Sequence, residues 1–196
     1  MTPMDESAGH GLYIFGYGSL VSSESVARTL QRNIAPELMP TALLHDYARD
    51  WEIRVPIVFD DGRACNGRFL DIAPAGGSMV NGVLIPVTEA EVEILGRREA
   101  QYDAIDVSAQ IQGPMSAQST VIVFRGRSEF RRDTSNIPSV RPENYRRLVE
   151  AAVATRGEEF FAQFLATTKV LAGTDYRGTY QFADLEQELA ARPPIR

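Results

Sequence analysis

Short hydrophobic runs broken by turn-forming residues mark the start of the chain. Residues 12–15 are apolar, β-branched or aromatic and are followed by Gly16, which predicts a short buried strand. The glycine-rich residues 16–20, hereafter the glycine turn, come next. Serines around Ser22 are N-cap candidates for a helix that continues to about Leu30. A strand, a turn and a helix in this order direct the N-terminus of the helix at the turn.

Strand-like patterns continue through the first two thirds of the chain. They are expected at residues 42–59, 67–72, 79–87, 103–111 and 119–124. Residues 74–77 read Pro-Ala-Gly-Gly, and we expect them to form a turn between two of these strands. A capping box at Thr88 and Glu91 predicts a helix that continues to about Tyr102.

The last third of the chain is predicted to be mainly helical after a polar loop. Helical pieces are expected at 142–155 and 158–168, separated by Gly157, with a strand near Tyr180 and a short helix from Ala183. We find no internal repeat and no linker that would separate two domains. Strands outnumber helices in the first 124 residues. The pattern therefore favours an α+β fold, a mixed barrel-like sheet with helices around it, built as one domain.

Composition excludes several classes of protein. The 196 residues are 44% hydrophobic and 23% charged, which is typical of a folded domain, and the net charge of −6 argues against binding of nucleic acid or an anionic membrane. The longest apolar runs are far shorter than the roughly 20 residues of a spanning helix, and the N-terminus does not resemble a secretory signal. A single cysteine, Cys65, and two histidines make a disulfide impossible and a zinc site hard to assemble. We therefore expect a soluble, cytoplasmic protein.

The glycine turn is the first candidate site. A Gly-x-Gly turn between a strand and a helix leaves several backbone N–H groups unpaired, and such a nest binds an anion or a developing oxyanion. Ser19 could add a hydroxyl and Tyr17 an aromatic wall. The fingerprint of dinucleotide sites is incomplete, because position 21 is Val. A plain tight turn explains the same residues, so this motif alone leaves both interpretations open.

The second candidate is Glu99. On the predicted helix it shares one face with Leu95 and Tyr102, and that face is apolar at its start, so we expect it to point at the core. A buried carboxyl has a raised pKa and suits general acid–base work near neutrality. Arg97 and Arg98 are expected to point elsewhere. The alternative is that Glu99 lies at an exposed rim and pairs with a nearby arginine.

Two segments together resemble the signatures of a known family. Residues 13–20 read Tyr-Ile-Phe-Gly-Tyr-Gly-Ser-Leu, and residues 98–102 have the pattern Arg-Glu-x-x-Tyr. Between them, residues 80–84 read Val-Asn-Gly-Val-Leu. This set resembles the gamma-glutamyl cyclotransferase-like family, most closely its ChaC-like branch, over roughly residues 12–124. The resemblance implies a mixed β-barrel core at 12–124 that carries the site, with 125–196 as a loop and helical C-terminal extension of the single domain 1–196.

The resemblance also implies an activity. Family members release 5-oxoproline from a gamma-glutamyl compound by attack of the substrate's own alpha-amine on its gamma-carbonyl. Glu99 would be the general acid and base, and the glycine turn would bind the substrate carboxylate or the oxyanion. The substrate-binding residues that it implies are Tyr17, Gly18, Ser19, Leu20, Tyr102 and Tyr145. No cofactor or metal is expected, and the partner is a small molecule, with monomer and homodimer both open.

Several points stay open at the level of the sequence. The gamma-glutamyl substrate could be glutathione, an amino-acid or amine derivative, or a pathway intermediate. The same fold could use Glu99 in another amide-bond or amine-transfer reaction of a biosynthetic pathway, or could bind a small ligand without catalysis. Residues 125–147 hold seven arginines against three acidic residues. A solvated loop explains this excess, and the alternative is recognition of a carboxylate or an acidic carrier protein by guanidinium groups.

Overall fold

A long antiparallel pair of strands runs through the centre of the sheet. In the computed structural model, which describes residues 11–132, 136–171 and 175–193, β2 (Thr41–Phe59) pairs with β3 (Ala64–Pro86) along most of its length. Gly62 lies in the turn between them with a φ of 84°, which glycine adopts without steric cost. β1 (Leu12–Gly16) pairs antiparallel with the end of β3 and parallel with a later strand. The glycine turn therefore follows a strand in the middle of the sheet.

The other elements surround this pair. The remaining strands are β4 (Tyr102–Asp106), β5 (Ile111–Gln112), β6 (Thr120–Gly126), β7 (Ser139–Pro142), β8 (Asp175–Tyr176) and β9 (Tyr180–Phe182). The helices are α1 (Ser23–Leu30), α2 (Glu89–Arg98), α3 (Ser128–Arg131), α4 (Glu143–Ala154), α5 (Glu158–Thr167) and α6 (Leu185–Ala191). The strand order is β4-β6-β1-β3-β2-β5, with β7 beside β3 and β9 beside β2. The predicted α+β fold with a mixed sheet is confirmed, and the sheet is open rather than closed into a barrel.

Several local predictions were wrong. The strand expected at 103–111 is divided into β4 and β5 by a 3-10 turn, and the expected polar loop after β6 contains α3 and the start of β7. Residues 74–77 do not end a strand, because β3 continues through them and Pro74 pairs with Tyr47 of β2. Here β2 has a register shift, Asp46 has a φ of 63°, and its carboxylate accepts the N–H of Gly77 at 2.9 Å. The glycines thus accommodate a β-bulge inside one long strand. The second helix ends at Arg98, four residues earlier than expected, and Tyr102 begins β4.

The apolar core forms two clusters that meet near the end of α2. The larger lies between the sheet and helices α1, α2, α4 and α5, and the smaller contains Phe69 and Tyr180 at the other end of the long strands. Tyr102 and Tyr145 pack against both clusters. Elements that are distant in the chain therefore converge on these two tyrosines. In the described ranges, no helix is both long and apolar enough to span a membrane.

Candidate active site

The glycine turn presents free N–H groups at the end of β1. A 3-10 turn, Ser19–Val21, follows Gly18, and its first hydrogen bond is donated by Val21 N–H to Gly18 O at 3.0 Å. The N–H groups of Gly18, Ser19 and Leu20 precede that bond and have no acceptor within the turn. Ser22 then caps α1 by accepting the N–H of Ser25 at 3.1 Å. The N–H groups of Gly18, Ser19 and Leu20 are the donors that the sequence proposed for an anion, and their role stays a prediction.

Glu99 occupies the C-cap of α2. The helix begins with the predicted capping box, in which Thr88 and Glu91 bond to each other's backbone N–H groups. At the other end Glu99 has a φ of −93° and a ψ of 44°, so the chain leaves the helix there. Its N–H still donates to Leu95 O at 2.9 Å, and its carbonyl accepts the N–H of Tyr102 at 2.9 Å. A tight turn therefore carries the carboxyl group, and the side chain is only 16% exposed.

Arg98 links this turn to the glycine turn. Its Nε lies 3.2 Å from Glu99 Oε1, one Nη donates to Ser19 Oγ at 2.8 Å, and the other donates to Thr29 Oγ1 at 3.0 Å. The arginine is 8% exposed and also bonds to the backbone and hydroxyl of Ser25. The expectation that Arg98 points away from Glu99 was wrong, because the helix has already ended and helical spacing no longer separates neighbouring side chains. Glu99 is thus both buried and paired with an arginine.

Burial sets the protonation behaviour of Glu99. Loss of solvation raises the pKa of its carboxyl above the usual value, and the positive charge of Arg98 partly opposes that rise. Removal from water disfavours the charged form more than the neighbouring guanidinium favours it. A carboxyl group in this balance can exchange protons closer to neutral pH than an exposed glutamate can.

Three tyrosines complete the walls around Glu99: Tyr17 is buried, and Tyr102 and Tyr145 are half-buried. Tyr17 donates its hydroxyl to Phe124 O at 2.7 Å, and Tyr102 donates to Leu70 O at 2.9 Å. Tyr145 comes from α4, and a Cβ built on Gly18 would lie 3.0 Å from its hydroxyl oxygen, so glycine allows this close approach. Burial raises the pKa of each phenol, and all three stay neutral at physiological pH.

These groups line one small cavity, which we call the inner chamber. Its free space, the part open to solvent included, is about 310 Å³, and it is lined by all seven residues singled out in the sequence, together with Phe15, Leu70 and Phe124. The seven residues are Tyr17, Gly18, Ser19, Leu20, Glu99, Tyr102 and Tyr145. The structure therefore brings the glycine turn, the buried carboxyl and a tyrosine of the C-terminal third into contact with the same space.

A wider cavity, the outer cleft, shares Ser19, Glu99, Tyr102 and Tyr145 with the inner chamber. The free space of the outer cleft, the part open to solvent included, is about 770 Å³. Its other walls include Phe69 and residues that sequence reasoning missed: Arg28, Arg98, Asn144, Tyr180, Phe182, Gln187 and Arg192. Arg98 could have been noticed, because it belongs to the Arg-Glu signature. The residues of β9 and α6 carry no motif, and only their contacts in the folded chain reveal them.

The arginine side chains of residues 125–147 lie outside both cavities, although Asn144 and Tyr145 of the same segment line them. Arg131 pairs with Asp71 and with Asp50, and Arg141 and Arg146 both pair with Asp175. None of the seven arginines of residues 125–147 lines the inner chamber or the outer cleft in the described part of the chain. These contacts favour a structural role for the segment. Within the same ranges, no three His, Cys, Asp or Glu side chains are grouped to hold a metal ion.

Comparison with known proteins identifies the class of fold. No family model and no curated protein sequence matches the chain. A solved structure named gamma-glutamyl cyclotransferase is similar with a TM-score of 0.51 and 15% identity, over 85% of this chain and 94% of that one. An uncharacterized human protein is similar with a TM-score of 0.55 and 16% identity, over 93% and 99%. The chain therefore has the gamma-glutamyl cyclotransferase-like fold, which confirms the resemblance at the level of the fold.

A third solved structure of the same fold is longer than this chain. YkqA from Bacillus subtilis is similar with a TM-score of 0.50 and 18% identity, over 81% of this chain. The similar region is 54% of YkqA, so this chain spans about half its length. The ChaC-like branch suggested by the sequence signatures stays a prediction.

The burial of Glu99 has a consequence for stability. We expect Glu99→Gln to raise the free energy of unfolding at pH 7 by about 0.5–2 kcal/mol, as commonly found when a destabilised site residue is replaced. A carboxyl with a higher pKa in the folded chain than in the unfolded chain destabilises the fold as pH rises through that interval. Below the ordinary pKa of 4.5 the carboxyl is protonated in both states, and the gain should vanish. Urea unfolding at both pH values measures this, and an equal gain at both would contradict it.

Proposed function

We propose that this chain is a gamma-glutamyl cyclotransferase-type enzyme, which releases 5-oxoproline from a gamma-glutamyl compound. One observation carries the proposal: a buried carboxyl with a raised pKa and a turn with free N–H donors line the same small chamber. Those are the two groups that an intramolecular attack of an amine on an amide needs. The fold agrees with this activity, because a solved structure named for it shares the fold.

The reaction begins with a proton transfer to Glu99. Its carboxylate takes a proton from the substrate's alpha-ammonium, and the amine then attacks the gamma-carbonyl carbon to form a new C–N bond. The carbonyl oxygen becomes an oxyanion. Glu99 returns this proton to the nitrogen of the leaving amine as the original amide bond breaks. The attacking nitrogen then loses its second proton to the freed Glu99 carboxylate, which passes it to the departing amine. The products are 5-oxoproline and a free amine, and no water or co-reactant is consumed.

The chamber supplies the remaining requirements. The N–H groups of Gly18, Ser19 and Leu20 can stabilise the substrate carboxylate or the oxyanion. The hydroxyls of Tyr17 and Tyr102 donate hydrogen bonds to backbone carbonyls, which fixes the two rings. The rings therefore form rigid walls that exclude water and hold the substrate in a folded conformation. Because nucleophile and electrophile belong to one molecule, holding the substrate in a cyclic conformation lowers much of the barrier.

The outer cleft would hold the leaving amine. It shares Glu99 and Tyr145 with the inner chamber, and its walls combine aromatic rings, among them Phe69, Tyr180 and Phe182, with polar and charged side chains. Arg192 lies over the ring of Tyr180 and is paired with Glu188, so its charge is partly balanced. The glutamyl part would thus occupy the inner chamber and the variable part of the substrate the outer cleft.

A panel of gamma-glutamyl compounds tests the proposal. We expect 5-oxoproline to be released from at least one of glutathione, gamma-glutamyl amino acids and gamma-glutamylamines, and chromatography of the products measures it. The aromatic walls favour substrates whose leaving amine carries an apolar group. An alpha-glutamyl isomer of the best substrate is the control, since its amine is bound at the alpha-carbonyl and attack on the gamma-carboxylate cannot release 5-oxoproline and that amine. If every gamma-glutamyl compound stays intact, the proposed function is wrong.

A further inference from the structure

The C-terminal segment, residues 180–192, contacts the turn that carries Glu99. Gln187 of α6 is 2% exposed, and its Nε2 donates to Arg98 O at 3.0 Å, the carbonyl that ends α2. The same amide exchanges hydrogen bonds with the side chain of Gln101, at 2.7 and 3.0 Å. Gln101 is also buried, with 7% exposure. One side chain of α6 therefore binds the turn that carries Glu99, hereafter the catalytic turn. It binds this turn at the residue before Glu99 and at the second residue after it.

The hydrogen bonds from Gln187 reach backbone and side-chain groups at the end of α2. The carbonyls at the end of a helix lack intrahelical partners, and an unpaired buried carbonyl is costly, so Gln187 satisfies a group that the fold would otherwise leave open. The neighbouring loop adds support, since Arg127 N–H donates to Gln101 O at 3.0 Å. Arg98, whose carbonyl Gln187 holds, is also the residue that pairs with Glu99. A shift of α6 would thus move both members of the pair.

We propose that Gln187 is a positioning residue for Glu99, and that the C-terminal segment is in this way part of the active site. The inference rests on the proposed function, since it assigns Gln187 an effect through the general base. It gives a role to the part of the chain for which the sequence offered none.

Gln187→Met tests the proposal, because methionine keeps the length of the side chain and removes the donor to Arg98 O. We expect kcat to fall about 10- to 100-fold, as small misplacements of catalytic groups do, with KM nearly unchanged. Hydrogen exchange should accelerate at the N–H groups of Glu99 and Tyr102, which are bonded within the turn. Gln181→Met is the matched control, since Gln181 lies exposed on β9 of the same segment.

A double variant separates positioning from mere stability. Gln101→Met with Gln187→Met removes both buried amides, and replacing both partners by apolar groups of similar shape is nearly neutral for folding. Arg98 O still lacks its donor, so we expect kcat to stay low although the melting temperature recovers in part, because Gln101 no longer leaves an unpaired amide. The double variant also supplies the measurement if the single variant does not fold.

Two outcomes overturn the proposal: unchanged kcat and exchange in Gln187→Met, or recovery of kcat together with stability in the double variant. Failure of the proposed function looks different. In that case wild type releases no 5-oxoproline from any substrate, while hydrogen exchange still reports whether Gln187 holds the turn.

Discussion

Replacing Glu99 by glutamine is expected to lower kcat about 10²- to 10⁴-fold, the range typical for loss of a general acid or base. Glutamine keeps the size and the hydrogen-bonding shape of the side chain but cannot take a proton from the substrate's ammonium group. KM should change little, because the N–H donors of the glycine turn and the walls of both cavities remain. Steady-state kinetics with the best substrate of the panel, at the pH optimum of the wild type, measures the effect.

The controls for this variant come from the same helix and from the ligand. Glu93→Gln changes an exposed glutamate of α2 and should leave kcat as it is. Binding of 5-oxoproline to Glu99→Gln, measured by calorimetry, shows whether the pocket is intact. Full activity in Glu99→Gln would disprove the proposed mechanism. A wild-type chain that binds gamma-glutamyl compounds without turning them over would instead support a binding module.

Replacing Arg98 by methionine is expected to have the largest effect on stability, with a loss of about 3–5 kcal/mol, because several buried acceptors lose their donor and each such loss costs about 1–3 kcal/mol. Arg98 is 8% exposed and connects α1, the glycine turn and the catalytic turn. Without it, the hydroxyls of Ser19 and Thr29 lose their donor, and Glu99 loses the nearest positive charge. Urea unfolding of the variant and wild type measures the loss.

The same substitution also predicts a change in the pH profile. The charge of Arg98 lowers the pKa of Glu99 against the effect of burial, so its removal raises that pKa further. Glu99 then remains protonated to higher pH, and the acid limb of kcat/KM should move upward. Arg98→Lys keeps a positive charge and should move this limb less, while it still loses the forked hydrogen bonds. Arg97→Met, at an exposed position, is the control, and an unmoved limb in Arg98→Met would contradict the proposed pairing.

The sequence by itself predicted the local features that carry the candidate site. The strand at residues 12–15, the glycine turn and the Ser22 cap of α1 depend on neighbouring residues only, and all are present. The capping box of α2 is present for the same reason. The seven predicted site residues line one chamber, although their roles stay predictions. Short-range hydrogen bonds and the spacing of side chains depend on residues that are close together in the sequence, so the sequence predicts them.

Errors arose where contacts across the sheet outweighed local preference. Residues 74–77 have the composition of a turn, yet pairing with β2 keeps them in a single strand with a bulge. The helical spacing continues to Tyr102, yet the chain leaves the helix at Glu99 so that Tyr102 can pair with Gly126 of β6. In both cases the hydrogen bonds to a distant strand replace those that the local pattern predicts.

The fold class was thus determined by the sequence, which also predicted the donors of the glycine turn and the carboxyl group of the candidate site. What only the tertiary structure decided is the environment of that carboxyl. Arg98 pairs with Glu99 because the helix ends between them, and Gln187 reaches Arg98 O across 89 residues of chain. Burial, pairing and positioning are properties of distances in space, and no spacing along the sequence encodes them.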